Sequence, residues 1–211
     1  ADIVMVGGME HMTRVPMGSL AGEKGPISPN LRLFTDPAYK HWEMMTTMNM
    51  GLTAEKLFGM SGLTKEDMDK WGVRSHQLAA KAQKEGFFKD EILPIEAEQG
   101  DGKMMVVDRD QAVRGDTTLE QMKDLKPAYR PDGNITAGNS SPLNAAATSM
   151  ILMSKETAKK KGIKPLATIK SIGFAGVDPS IMGVGPVPAS KKALKAAGLE
   201  VKDIDYWEIN E

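Results

Sequence analysis

No cysteine occurs anywhere in the 211 residues. Disulfides are thereby excluded, and so is any thiol chemistry performed by this chain itself. The absence fits a reducing compartment, and a cytoplasmic location is the expectation. Neither sign of charge is in excess: 27 basic and 28 acidic residues leave a formal net charge of −1. That balance offers no basic footprint for nucleic acid and no polybasic face for an anionic membrane. No apolar run is long enough to span a bilayer, and no signal-peptide pattern opens the chain. There is no short-period repeat and no low-complexity tract. Gly7-Gly8 is not the G-x-G-x-x-G of a dinucleotide site. Adjacent Glu10 and His11 lack the H-x-x-x-H spacing of a metal centre.

What is present is an ordinary globular mix, 41% hydrophobic and 26% charged, with enough apolar content for a core. Asp2 to Val6 forms a short apolar run closed by Gly7-Gly8, which predicts a buried strand ending in a turn. Ile204 to Glu211 predicts a second strand at the other end. Domains rarely begin and end inside buried strands, and there is no initiator Met, so the expectation is a piece of a longer protein.

Between the ends, a Gly/Pro-rich loop (Gly18 to Pro37) precedes a helical stretch from about Tyr39 to Met60. Thr64, with Glu66 and Asp67 following, is a helix-capping signal, and a helix is predicted through Trp71, Leu78 and Ala82 to about Gly86. Ile92 to Ile95 and Lys103 to Val107 predict short strands, and Leu119 to Leu125 a helix. Leu143 to Lys161 reads as a helix, Ala167 to Val177 as a strand, and Asp178 to Val187 as a loop. Ala189 to Ala197 reads as a helix stopped by Gly198. Alternating strands and helices predict an α/β core.

Five segments carry a resemblance. Val6-Gly7-Gly8-Met9-Glu10-His11-Met12 resembles the V-G-G-x-E-x-M of thiolases, and Met50-Gly51-Leu52-Thr53-Ala54-Glu55 their M-G-x-T-A-E. Thr136-Ala137-Gly138-Asn139-Ser140-Ser141 is similar to T-A-G-N-x-S, and Gly185-Pro186-Val187-Pro188-Ala189-Ser190 to G-P-x-P-A-S. Asn210-Glu211 resembles the start of N-E-A-F. The five stand in the family's order over nearly the whole chain. The resemblance implies an incomplete thiolase fold: residues 1–12 closing an N-terminal α/β half, 13–141 an inserted loop domain that binds coenzyme A, 142–165 a return to the N-terminal half, and 166–211 the start of the C-terminal half.

It also implies a chemistry: 3-ketoacyl-CoA and CoA exchanged for acyl-CoA and acetyl-CoA through an acyl-cysteine, as in fatty-acid β-oxidation. Coenzyme A is then a substrate, no cofactor is permanently bound, and the partners are acyl-CoA and CoA in a homodimer or homotetramer. The family's nucleophilic Cys precedes the V-G-G segment, and its catalytic His and second Cys follow N-E-A-F. None of the three is among these residues.

Residue by residue, the resemblance makes Asn210 catalytic, holding a water that stabilises the enolate oxygen. On its own, Asn210 reads as a turn or strand-end residue. Ser141 matches a pantetheine contact, with Ala137 and Leu143 its neighbours; alone, Ser141 is an ordinary N-cap. Arg114 matches an Arg near the adenine, where a guanidinium can stack on the base, although a solvated surface Arg is the plain alternative. Met50 and Met182 match the acyl-pocket wall, but with 16 methionines the default for either is core filling.

Three sites depart from the family. Asn49 stands where many members have His, which leans away from the small-substrate biosynthetic type. Ala145-Ala146 replaces an Asp-Gly, and Gln121 replaces a Ser near the coenzyme. His76 sits in a polar helix and reads as solvated, and Asp108 and Asp110 read as a loop edge. Two other readings stay open: a non-catalytic thiolase-like acyl-CoA or lipid-binding protein, and a nucleotide-binding α/β module.

Overall fold

The computed structural model describes residues 1–12 and 30–210. Most of the predicted Gly18–Pro37 loop and the terminal Glu211 lie outside the described residues. The chain divides into two compact units, one of residues 1–49 and 143–211, the other of residues 50–142.

In the first unit, strand β1 (Ile3–His11) pairs antiparallel with β4 (Ala145–Met153). The register runs from Ile3 opposite Met153 to His11 opposite Ala145. Two expectations are corrected here. The Gly7-Gly8 pair does not end the strand: it lies mid-ladder, opposite Ser149 and Thr148. And the predicted 143–161 helix is a strand followed by a short helix, α6 (Lys155–Lys160). The run Ala145-Ala146-Ala147 carries high helix propensity, but propensity is a weak prior that a long ladder overrides. The break falls at Ser154, whose side chain accepts from the Thr157 N–H and caps α6.

Residues 30–49 form two one-turn helices, α1 (Arg32–Thr35) and α2 (Met44–Thr47), with a 3-10 turn over Pro37–Trp42 between them. The continuous Tyr39–Met60 helix of the sequence reading is thus broken. Glu43 adopts a left-handed φ of 44° between the pieces, a conformation no helix interior accommodates. The predicted 178–187 loop contains a 3-10 turn, Pro179–Val184, on which α2 packs. It leads directly into α7 (Pro186–Ala197), which starts three residues earlier than predicted because proline suits the first helical turn. The predicted stop at Gly198 is observed, with φ 69° and the Leu199 N–H returning to Leu194 O.

The stretches expected as strands at 167–177 and 204–211 have no ladder partner among the described residues. Residues 167–177 are nonetheless fixed against α7: the Ser171 hydroxyl donates to Ala193 O at 2.7 Å, and Lys192 Nζ donates to Phe174 O at 2.9 Å. A strand is defined by its neighbours as much as by its sequence, so β-prone residues alone do not make one.

In the second unit, α3 (Met50–Ser61) is followed by α4 (Lys65–Lys84). Thr64 and Asp67 close a reciprocal capping box, as predicted: the Asp67 N–H donates to Thr64 Oγ1 at 3.2 Å, and the Thr64 N–H donates to Asp67 Oδ2 at 2.9 Å. A hairpin of β2 (Ile95–Glu98) and β3 (Met104–Val107) comes next, β2 lying a turn later than expected. Helix α5 (Leu119–Lys123) packs on α4 and buries Met122 between them. Its cap is a second box, in which Gln121 Oε1 accepts from the Thr118 N–H at 2.8 Å. That bond gives Gln121, one of the three departures, a local structural job. Among the described residues no helix is long and apolar enough to cross a membrane.

Candidate functional site

The residues singled out from sequence divide between the two units. Arg114, Ala137, Ser141 and Met50 lie in the unit of residues 50–142; Leu143, Met182 and Asn210 lie in the other.

Ala137 and Ser141 lie on an irregular part of their unit. Residues 134–141 form a loop with almost no ladder of its own: one isolated bridge joins Thr136 to Pro127, and the Ala128 N–H donates to Ile135 O at 2.9 Å. Side chains hold the rest. Glu55, at the last position of M-G-x-T-A-E, accepts from the Asn134 and Ile135 N–H groups at 2.7 and 2.8 Å through Oε1. Asn139, inside T-A-G-N-x-S, accepts from the Thr136 N–H at 2.8 Å and donates through Nδ2 to Asn134 O at 3.0 Å and to Asp69 Oδ1 at 3.1 Å. The Gly138 N–H donates to Thr136 Oγ1. A Cβ at Gly138 would lie 2.2 Å from Met122 Sδ and 2.6 Å from Leu125 Cδ1, so a larger residue there requires those side chains to shift. Two of the recognised segments are therefore physically one assembly, with the helix α3 carboxylate gripping the loop.

With its backbone so tied, the loop leaves Ala137 and Ser141 exposed. Small exposed side chains on a fixed backbone allow a ligand to approach the main chain closely. Ser141 does not cap a helix here, because β4 and not a helix follows it, so the N-cap reading is set aside.

Arg114 is presented in a comparable way. Its N–H donates to His76 Nδ1 at 3.2 Å, and its carbonyl accepts from both the N–H and the hydroxyl of buried Thr117, at 3.2 and 2.7 Å. The backbone is pinned on both sides while the guanidinium side of the residue is exposed. This corrects the reading of His76 as merely solvated: from α4 it accepts a backbone hydrogen bond. Its sequence signal was slight, a single imidazole in a polar helix whose partner lies 38 residues on. Met50 opens α3 with an exposed side chain, its carbonyl accepting from the Thr53 hydroxyl at 2.7 Å.

In the other unit, Met182 lies in the 3-10 turn before α7 and is exposed, its carbonyl capping the turn by accepting from the Gly185 N–H at 2.9 Å. Asp178 starts that turn, its Oδ1 accepting from both the N–H and the hydroxyl of buried Ser180 at 2.8 Å. Leu143 is exposed just ahead of β4, and Asn210 is the last described residue, in an irregular segment. Sequence reasoning missed Glu55, Asp69 and Asn139 as individuals, although two of them sit inside segments it had singled out.

Comparison with known proteins divides the chain at a different place. Residues 1–156 match the family model described as "Thiolase, N-terminal domain", and residues 163–211 match "Thiolase, C-terminal domain". A 3-ketoacyl-CoA thiolase of Marinobacter nauticus is 46% identical over all 211 residues, which correspond to 51% of that protein. One from Hahella chejuensis is 44% identical over the same span, again 51% of its length. Among solved structures, the acetyl-CoA acetyltransferase of Bacillus anthracis superposes with a TM-score of 0.79 at 37% identity, covering 97% of this chain and 52% of that one. The acetyl-CoA acetyltransferase of Syntrophomonas wolfei gives 0.77 at 33% identity, over 98% and 52%. The chain spans about half the length of the relatives it matches. Its α/β elements are those of an incomplete thiolase fold, and the chain belongs to the thiolase family.

Proposed function

We propose that this chain supplies the coenzyme-binding platform of a thiolase-type acyltransferase that converts 3-ketoacyl-CoA and CoA to acyl-CoA and acetyl-CoA. The observation that carries the reading is the 134–141 loop, whose backbone is tied down from Glu55 and Asn139 while Ala137 and Ser141 stay exposed. A loop fixed before the ligand arrives loses less entropy on binding. The pantetheine arm lies along Ala137, Ser141 and Leu143, and Arg114 stacks on the adenine. Met50 and Met182 line the acyl chain, where an unbranched thioether side chain adapts to varied shapes. Asn210 holds a water at the enolate oxygen, its amide donating without a change of charge. The acyl-cysteine forms on a nucleophile outside these 211 residues. Residues 13–141 are the inserted loop domain, 1–12 and 142–165 parts of the N-terminal half, and 166–211 the beginning of the C-terminal half. The complete protein works in the cytoplasm as a homodimer or homotetramer, in fatty-acid β-oxidation, with coenzyme A as substrate and no permanently bound cofactor.

The test compares two ligands. Arg114→Ala is expected to weaken CoA about tenfold in calorimetry, within the range a stacked or cation–π contact contributes. Pantetheine, which has no adenine, should bind the variant and the wild type alike. Equal weakening for both ligands, or none for either, overturns the placement of the coenzyme.

A further inference from the structure

We propose that Glu55 and the Asp69–Asn139 pair are positioning residues that set the shape of the 134–141 loop for the coenzyme; the inference rests on the coenzyme reading above. Both acids are buried, at 2% and 1% exposure. A carboxylate withdrawn from water is costly unless its oxygens are well partnered. Glu55 is only partly partnered. Its Oε1 receives two backbone N–H groups from the loop, while Oε2 has no hydrogen bond, and the nearest cation on it, Arg130 Nη2, stands at 3.6 Å. Arg130 is also drawn to exposed Asp132, 3.4 Å from its Nε. An apolar residue in its place would leave the Asn134 and Ile135 N–H groups without their acceptor. What Glu55 does make is the grip on Asn134 and Ile135.

Asp69 acts through Asn139. Its Oδ2 faces Lys65 Nζ at 2.5 Å, and its Oδ1 receives Asn139 Nδ2, fixing which way the amide turns. Asn139 so oriented can accept from the Thr136 N–H and donate to Asn134 O, closing the turn that carries Ala137. Lys65 donates in addition to Met122 O at 3.0 Å, tying the start of α4 to α5. The loop amides of residues 134, 135 and 136 are thus all satisfied by two side chains from outside any ladder.

The experiment uses the full 211-residue chain with CoA as the probe, in Glu55→Ala, Glu55→Gln and Asn139→Ala, each first checked as folded by circular dichroism. Hydrogen exchange is read at the Asn134, Ile135 and Thr136 amides, and CoA affinity by calorimetry. Glu55→Ala is expected to speed exchange at Asn134 and Ile135, and Asn139→Ala at Thr136, at least tenfold. Each should weaken CoA at least tenfold, with exchange in the middle of α4 unchanged. Glu55→Gln keeps an acceptor oxygen and should restore most of both. Faster exchange with CoA affinity unchanged overturns the positioning role, as does unchanged exchange in either alanine variant. If Glu55→Ala does not fold, Asn139→Ala decides by the same two readouts. A wild-type chain that binds no CoA overturns the coenzyme reading and the inference with it. Failure of the inference alone shows as a wild type that binds and variants that bind equally well.

Discussion

At the scale of single residues, the recognised segments turn out to be mixtures of presented and structural positions. In M-G-x-T-A-E, Met50 is exposed, Thr53 is buried with its hydroxyl on Met50 O, and Glu55 grips a distant loop. Gly51 is fixed by space, because a Cβ there would lie 2.2 Å from the ring of Tyr129. Gly51→Ala is therefore expected to destabilise the 50–142 unit by about 1–3 kcal/mol, the usual cost of overpacking. The checking measurement is urea unfolding followed by the fluorescence of Trp71; a midpoint unchanged from wild type removes the steric account. Asn210 belongs to the same scale. On the proposed role of Asn210, Asn210→Asp in the complete protein would place an anion where an oxyanion develops, and steady-state turnover should fall about a hundred- to a thousandfold. If the proposal holds, acylation of the nucleophile, read by burst labelling with acetyl-CoA, should fall much less than turnover. Turnover within about threefold of wild type would make Asn210 a structural residue.

At the scale of elements, α4 offers the cleanest case of local control. Its N-terminus is closed by Thr64 and Asp67, and Thr64→Ala should cost about 1 kcal/mol. The same cap gives a pH dependence. The Thr64 hydroxyl, and then its N–H, hold the Asp67 carboxyl below its ordinary 3.8. A depressed folded-state value means that the cap's contribution is fully present above the unfolded carboxylate range and lost as pH falls through the folded value. Neighbouring Glu66 is lowered in the same direction by Lys70. Amide protection in the first turn of α4 should be flat above about pH 5 and decline in more acid solution. Asp67→Asn should remove most of that decline, and Glu66→Gln the remainder. Protection in Asp67→Asn that falls as steeply as in wild type would contradict the assignment.

At the scale of the whole molecule, the absence of cysteine sets a hard limit. With no thiol, the 211-residue chain cannot carry an acyl-cysteine, and acetoacetyl-CoA thiolysis by the purified chain should be indistinguishable from buffer. Turnover approaching that of the complete protein would overturn the proposed chemistry. The exposed apolar side chains of the β1–β4 sheet belong to this scale too: Met5 and Met9 are 73% and 85% exposed, and Met150 and Ile151 are also exposed. A sheet so uncovered has little of its own apolar surface removed from water, so the sequence's 41% hydrophobic content is not reflected in burial there.

The amino-acid sequence by itself determined whatever depends on neighbours a few residues apart. The cap at Thr64 and the stop at Gly198 are local chemistry, and the order of five short segments was enough to identify the family. The tertiary structure decided what depends on distant partners. Residues 145–153 are a strand because residues 3–11 offer an edge, whatever helix propensity three alanines carry. Residues 167–177 have no ladder partner among the described residues, although their sequence is strand-like. Glu55 reaches amides 79 and 80 residues away, and no spacing rule along the chain selects that partner. Periodicity reports which way a side chain faces on its own element. Which buried carboxylate meets which loop is settled only by packing, because the cost of an unsatisfied buried charge is paid in three dimensions.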